Sequence, residues 1–299
     1  MTSFKSGLVG VLGQTNVGKS TFLNAVLGKK LSITSAKPQT TRNRIRCIYT
    51  TERAQIVFVD TPGLHRPDNK LGRHILRQAY RALRGLDILL YMVEPWGRVD
   101  PYDRETLERL AKRDRPMFLL VNKIDLARGN ALEETLLGYA SMGLFAELFP
   151  LSALRGHHLT EIVEAVIDTL PERPPLFPPE LITDSSEAFM ISELIREKIC
   201  QLTYQEIPYS TAVRVKGMRE RDDGLVEIKA EVLVDRESQK GIMIGKGGNM
   251  LKQIGSQARA DIEALLGSRV FLELRVTVHK GWTRKDDVVK RFAGEVDVR

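Results

Sequence analysis

The sequence predicts a mostly parallel, doubly wound α/β domain followed by a smaller α+β domain, and three features predict it. Strand-like apolar runs alternate with amphipathic segments through the first half of the chain. A proline-rich stretch then interrupts them, and beyond it the order of elements changes to helix, two strands, two helices and a strand. A length of 299 residues suits two domains of about 150 residues, each able to bury its own core.

The first domain, residues 1–171, contains the runs LVGVL at 8–12, AQIVFVD at 54–60, DILLYMVE at 87–94, PMFLLVN at 116–122 and ELFPLSA at 147–153. Strands separated by helical segments indicate a mostly parallel sheet. Five prolines between Pro171 and Pro179 cannot continue a helix or a central strand, so residues 172–185 are expected to be a linker. In the second domain, 186–299, Asp222-Asp223-Gly224 lies between the alternating runs STAVRVKGMRE and LVEIKAEVLVDR and predicts an antiparallel hairpin.

Composition narrows the function classes. No run approaches the roughly 18 uncharged apolar residues of a membrane span, and the start of the chain lacks the order of a signal peptide, so a cytoplasmic protein is expected. Cys47 and Cys200 are far apart and without metal-ligand spacing, which predicts two reduced thiols. The net charge of +7 resides in the first part of the chain: residues 1–170 hold 24 Lys+Arg against 17 Asp+Glu, and residues 171–299 hold 21 against 21. It concentrates between Lys29 and Thr51, where Lys29, Lys30, Lys37, Arg42, Arg44 and Arg46 occur with no acidic residue, and it suggests a polyanionic partner.

Gly13–Ser20 reads GQTNVGKS, the GxxxxGK[ST] pattern, after a strand and before a helix. Glycines let backbone amides face phosphates without a steric penalty, and the helix N-terminus favours negative charge. Gly13, Gln14, Thr15, Asn16, Val17, Gly18, Lys19, Ser20 and Thr21 are expected to wrap a nucleotide's phosphates, with Lys19 neutralising the β- and γ-phosphates and Ser20 on Mg2+. Asp60-Thr61-Pro62-Gly63 ends the second run: Asp60 is placed to hold a Mg2+ water, and the Gly63 amide to detect the γ-phosphate. Thr41 is expected to complete the metal's coordination, with Thr40 as the alternative.

Asn122-Lys123-Ile124-Asp125 follows another apolar strand, at the sheet end where ligands of α/β folds bind. Asp125 can accept both N1-H and N2-H2 of guanine, a pair of donors that adenine lacks, so the pattern selects GTP and GDP. Asn122 should brace the neighbouring loops, Lys123 lie across the ring, and backbone amides at Ser152, Ala153 and Leu154 meet guanine O6.

GQTNVGKS, KPQTTR, DTPG, NKID and SAL in this order, followed by a GKGG loop, resemble the Era family of GTPases, and the resemblance runs through nearly the whole chain. It implies a Ras-like P-loop GTPase domain joined to a type II KH domain. Where many GTPases place a water-orienting glutamine after DTPG, this chain has Leu64, which offers no hydrogen bond. Asn16 stands where related GTPases use an asparagine to bind K+, a cation that would neutralise charge as an arginine finger does. Hydrolysis is therefore assigned to Lys19, Asn16, Thr41 and Gly63.

The second glycine loop, Gly245-Lys246-Gly247-Gly248, has no Ser or Thr after its lysine and no guanine-reading motif behind it. It fits the G-x-x-G turn of KH modules, which clamps the backbone of a few nucleotides. Lys240, Ile244, Lys246, Lys252 and Arg259 are expected to contact single-stranded RNA along with the glycines, with Arg284 and Lys285 as accessory contacts and Trp282 as either a stacking surface or core. The switch segment's Arg42, Arg44 and Arg46 are expected to add phosphate contacts. The family resemblance implies binding at the 3′ end of 16S rRNA, assembly of the 30S subunit, a monomer, and a cytoplasmic location with at most weak peripheral contact at the inner membrane face. The alternative is a constitutive RNA-binding scaffold whose GTPase domain is slow or regulatory only.

Overall fold

The computed structural model describes residues 3–34, 37, 41–64, 72, 73, 76, 77, 79, 80, 83–112 and 115–285. Among these, two compact units separate: one within Met1–Ser32, Arg44–Arg66 and Leu76–Asp184, the other within Ile33–Asn43, Pro67–Ile75 and Ser185–Arg299.

In the first unit, six strands lie in the order β2-β3-β1-β4-β5-β6. They are β1 (Lys5–Gly13), β2 (Ile45–Thr50), β3 (Ala54–Asp60), β4 (Ile88–Val93), β5 (Met117–Val121) and β6 (Glu147–Pro150). All neighbours pair in parallel except β2, which runs antiparallel to β3 at the edge. Every residue of β3, β4 and β5 is buried, as a parallel sheet covered on both faces requires. Helices α1 (Lys19–Leu27), α2 (Pro101–Leu110), α3 (Ala131–Ala140) and α4 (Leu159–Thr169) follow β1, β4, β5 and β6. Phe22 of α1 meets Phe58 of β3 edge-on, ring centres 6.2 Å apart. The strand β2 was not anticipated: its residues IRCIYT belong to the basic stretch, yet Ile45, Cys47 and Ile48 are buried.

The proline-rich segment is fastened to this unit. Ser6 N–H donates to Pro171 O, and Ser6 Oγ to Pro174 O. Gln55 accepts from the amides of Leu176 and Phe177 and donates to Phe177 O. Ile48 N–H donates to Ile182 O, and Cys47 bridges Thr183 antiparallel.

The second unit contains α5 (Glu187–Leu202), a short α6 (Ile207–Ser210), β7 (Ala212–Glu220), β8 (Val226–Val234), α7 (Glu237–Ile244), α8 (Asn249–Leu266) and β9 (Val270–Val278). The sheet order is β7-β8-β9, antiparallel at the hairpin and parallel between β8 and β9. Gly224 turns the hairpin at φ 75°, as the Asp-Asp-Gly signal requires. Ile191, Ile195 and Ile199 of α5 and Ile254, Ala258 and Ile262 of α8 cover one face with Ile228 and Val232 of β8. Both cysteines are free and buried, and no helix of the described residues is long and apolar enough to cross a membrane.

Candidate functional site

The register sets the site at one end of the first sheet, because Val11 pairs with Asp60 and Gly13 with Met92, so the loops after β1, β3, β4 and β5 emerge together. The chain leaves β1 through Gly13 at φ 143°, where an added Cβ would lie 2.2 Å from Met92 O. Asn16 follows at φ 66°, exposed. Gly18, in a left-handed conformation, precedes α1, which has no side-chain cap and no acidic residue in its first turn. A helix start without a capping side chain or an acidic residue suits an anion.

Lys19 is buried, its Nζ donating to Gln14 O at 2.6 Å and Gly13 O at 3.2 Å. Burial pushes its ammonium down to about 8, opposed by the charge of Asp60. Ser20 Oγ donates to Asp60 Oδ2 at 2.9 Å. Asp60 is fully buried; burial raises its carboxyl, and Lys19 and Ser20 oppose the rise. Among the described residues, the other oxygen, Oδ1, has no hydrogen-bond partner. A buried carboxylate oxygen without a partner, beside a hydroxyl, fits a hydrated divalent cation. The described residues hold no group of three His, Cys, Asp or Glu that would cage a metal alone, so water and phosphate oxygens would fill the remaining positions.

Thr61 serves the scaffold by donating to Val11 O at 2.8 Å, and Pro62 is buried beside it. Gly63 approaches the phosphate loop so closely that a Cβ would lie 2.7 Å from Thr15 Cγ2 and 2.8 Å from Thr15 Cα. Leu64 donates its amide to Gly13 O at 3.0 Å and buries its side chain in the apolar core, 1% exposed. Beyond lacking a hydrogen bond to offer, it faces away from water altogether.

On the base-reading side, Asn122 is 2% exposed and joins two loops: Nδ2 donates to Val17 O at 2.8 Å, and Oδ1 accepts from Ala153 N–H at 2.9 Å. An added Cβ at Gly18 would lie 2.1 Å from Asn122 Nδ2, so the glycine is required by this contact as well as by its φ. The Ala153 amide, expected with those of Ser152 and Leu154 to meet guanine O6, donates to Asn122 in this structure. Ser152 is buried and donates its hydroxyl to Asp125 at 2.5 Å; the bond holds the exposed Asp125 carboxyl below its ordinary range. Lys123, at φ 66°, pairs with Glu94, and Leu154 is 75% exposed.

In the second unit, Gly245, Gly247 and Gly248 take φ of 73°, 62° and 80°, and a Cβ at Gly245 would lie 2.9 Å from Met250 N. The turn ends α7 and starts α8, the helix-turn-helix placement that the sequence implied. Lys246, Lys252 and Arg259 are exposed, as are Arg284 and Lys285; Lys240 and Ile244 are half-buried. Trp282 is fully buried with Nε1 donating to Ser210 O at 2.8 Å, so it is core and not a stacking surface.

The segment Ile33–Asn43 packs within the second unit. Thr34 N–H donates to Glu197 Oε1 at 2.8 Å. Lys37 Nζ reaches Cys200 O and Thr203 O at the C-terminal end of α5 and sits 4.5 Å from the centre of the Tyr204 ring. Arg42 is 3% exposed and donates to Pro208 O at 2.6 Å and Thr211 O at 2.7 Å. The expected phosphate contact of Arg42 is therefore not available in this arrangement, and Arg46 pairs with Asp184 at 2.6 Å. Thr41 is buried in this segment, while Thr40 lies outside the described residues.

Asp103 escaped the sequence reading. It sits in the first turn of α2, where Asp100 caps the helix, and the spacing reads as an ordinary capping turn; its carboxylate instead turns inward and accepts from the hydroxyls of Tyr91 and Tyr139.

Taken together, a phosphate loop braced to a guanine-reading loop by one asparagine, with a GxxG turn between helices of a second unit, defines a P-loop GTPase joined to a KH module. The family models agree: that of the 50S ribosome-binding GTPases matches residues 8–123, and that of the KH domain residues 206–283. Across 98% of its length and of theirs, the chain is 48% identical to the GTPase Era of Geotalea uraniireducens, and across 97% of each it is 46% identical to that of Lacticaseibacillus paracasei. The fold superposes with a TM-score of 0.93 on an Era variant of Aquifex aeolicus bound to GDP·AlF4−, and of 0.92 on Era in complex with MgGDPNP and nucleotides 1506–1542 of 16S ribosomal RNA. Both are 37% identical to this chain, with 98% of it and all of theirs covered. The chain belongs to the Era family of GTPases.

Proposed function

We propose that this protein hydrolyses GTP to GDP and phosphate as a switch that governs binding of single-stranded RNA near the 3′ end of 16S rRNA, in assembly of the 30S subunit. The observation that carries this reading is the division of labour between its glycine loops. Only Gly13–Ser20 is joined to a guanine reader and a cation pair, through Asn122 and through Ser20 with Asp60, whereas Gly245–Gly248 turns between two helices with exposed basic residues around it. The likeness to an Era bound to MgGDPNP and a 16S fragment supports the same pairing of ligands.

In the reaction, Lys19 would exchange its bonds to Gly13 O and Gln14 O for phosphate oxygens, and Ser20 with Asp60 would hold Mg2+, which supplies charge neutralisation at the transferring phosphoryl. Asp125, kept ionised by Ser152, would accept from the guanine edge. No side chain acts as a base, and Leu64 is buried in the core, so positioning and charge carry the rate. Asn16, at the exposed crest of the loop, would bind K+; if Na+ supports the same turnover as K+, that role falls.

The basic segment suggests how nucleotide state reaches RNA. Arg42 is fastened to the carbonyls of Pro208 and Thr211, and the intervening Ser210 accepts from Trp282 Nε1 through its carbonyl and from Gln239 Nε2 through its hydroxyl at 2.9 Å. Gln239 lies on α7, which leads into the GxxG turn. Drawing Thr41 towards a γ-phosphate would pull on this chain of bonds. We place the protein in the cytoplasm, with any contact at the inner membrane face peripheral. Residues 1–171 form the GTPase domain, 172–185 the connection and 186–299 the KH domain with its C-terminal extension.

The test is binding of a short RNA from the 3′ end of 16S rRNA at fixed salt, with a non-hydrolysable GTP analogue or GDP, to the native protein and to Gly247→Asp. Tighter binding with the analogue, lost in the variant, is expected. Equal binding in both nucleotide states would favour the constitutive scaffold.

A further inference from the structure

We infer that Asn24 is a positioning residue for the GTP state, because it fixes the root from which the Thr41-bearing segment leaves the nucleotide unit. Its side chain makes three hydrogen bonds to the turn after α1. Oδ1 accepts from the amides of Leu31 and Ser32, each at 2.9 Å, and Nδ2 donates to Ser32 O at 2.7 Å. Both backbone polar groups of Ser32 are thus held by one residue of the helix.

That helix also carries the serine assigned to the cation. Ser20 and Asn24 stand four residues apart on α1, hence on one face, and Ser20 Oγ donates to Asp60. The segment's other root returns to the same pair, since β2 begins at Ile45, which stands opposite Asp60 in the antiparallel ladder. Ser32 is the last residue of its stretch in the first unit, and Ile33–Asn43 belongs to the second. Thr34 N–H already donates to Glu197 Oε1 of α5 at 2.8 Å. Ile33 alone therefore separates a backbone held by α1 from one held by α5. A root fixed on the helix of Ser20 limits the conformations the segment must give up when Thr41 reaches the cation.

Ending the helix does not require this side chain. Gly28, at φ 63°, turns the chain out of α1 and returns its own N–H to Ala25 O. Asparagine is also a weaker helix former than alanine or leucine, so its place inside α1 is accounted for by the turn it holds.

The inference rests on the reading of Thr41 as the residue that completes the cation's coordination in the GTP state, and Thr41→Ala checks that reading by itself. Affinity for a non-hydrolysable GTP analogue with Mg2+ should fall while GDP affinity holds, because only the γ-phosphate state draws the segment in. Asn24→Ala should show the same selectivity. Analogue affinity should fall roughly tenfold relative to GDP, the scale of ordering one further backbone residue, and single-turnover hydrolysis should slow. A role confined to folding would lower the melting temperature and weaken both nucleotides alike. Equal losses for GDP and the analogue, or no loss for either, would overturn the inference if Thr41→Ala is selective; a Thr41→Ala variant without selectivity would instead remove the reading beneath it. If Asn24→Ala does not fold, Asn24→Asp keeps the acceptor for both amides and removes only the bond to Ser32 O. It should cost the analogue several-fold relative to GDP, and an unchanged ratio would count against the inference equally.

Discussion

Ser152 donates its hydroxyl to Asp125 at 2.5 Å, so the carboxylate that faces solvent at the base-reading edge is ionised and aimed before any ligand arrives. With Ser152→Ala, guanine binding should weaken several-fold as a rise in KM with kcat nearly constant, because the interaction serves ground state and transition state alike. The acid limb should move as well. Asp125 binds guanine as the carboxylate, so affinity falls as pH drops through its pKa; without the serine that pKa rises towards the ordinary value, and the loss begins at a higher pH. Titration of GDP affinity between pH 3.5 and 7, roughly spanning a free carboxyl's range, reads both effects.

Leu64→Gln tests whether the missing glutamine can be restored. The side chain is 1% exposed among Leu12, Val59 and Tyr91, so an amide there would be buried without a designed partner. The variant should lose about 2–4 kcal/mol of stability and gain no hydrolysis rate. Urea unfolding and single-turnover hydrolysis check the two halves; faster hydrolysis would show that the position reaches the reacting water.

Arg42→Ala removes two hydrogen bonds from a cation to backbone carbonyls within the second unit. The nucleotide dependence of RNA affinity should shrink, while intrinsic GTP hydrolysis changes less than about twofold, a difference below 0.5 kcal/mol. RNA titrations in the two nucleotide states measure this, and an unchanged ratio would remove Arg42 from the coupling. Lys37→Ala, which loses its place at the end of α5, should act in the same direction.

The fold and the principal site were legible because their signals are periodic or local. Continuous apolar runs announced β3, β4 and β5, and the strand-glycine-lysine-helix pattern placed Gly13–Ser20 where the structure has it. What escaped depends on partners distant in sequence. An arginine normally keeps its guanidinium in water, and nothing near Arg42 in the chain shows that carbonyls of Pro208 and Thr211 await it. Asp103 follows a capping aspartate and a proline, so its local pattern is that of a helix start, while Tyr91 and Tyr139 lie on other elements. Trp282 was ambiguous for the same reason: only Ser210 O, far away in the chain, decides that its indole is enclosed. The alternation in Ile45–Thr50 was masked by the arginines around it.

The proline-rich segment bears on how the nucleotide unit can be isolated. β2 is the margin of the six-stranded sheet, and residues 182 and 183 hydrogen-bond along it at Ile48 and Cys47, while Gln55 relies on Leu176 and Phe177 to satisfy its buried amide. A fragment ending at Leu170 would bare that margin and leave the Gln55 Oε1 without the two amides it accepts from, inviting strand-to-strand association between copies. A fragment ending at Asp184 keeps the cover and should remain monodisperse in light scattering. The prolines that rule out a helix or central strand here thus act as a stopper against self-assembly.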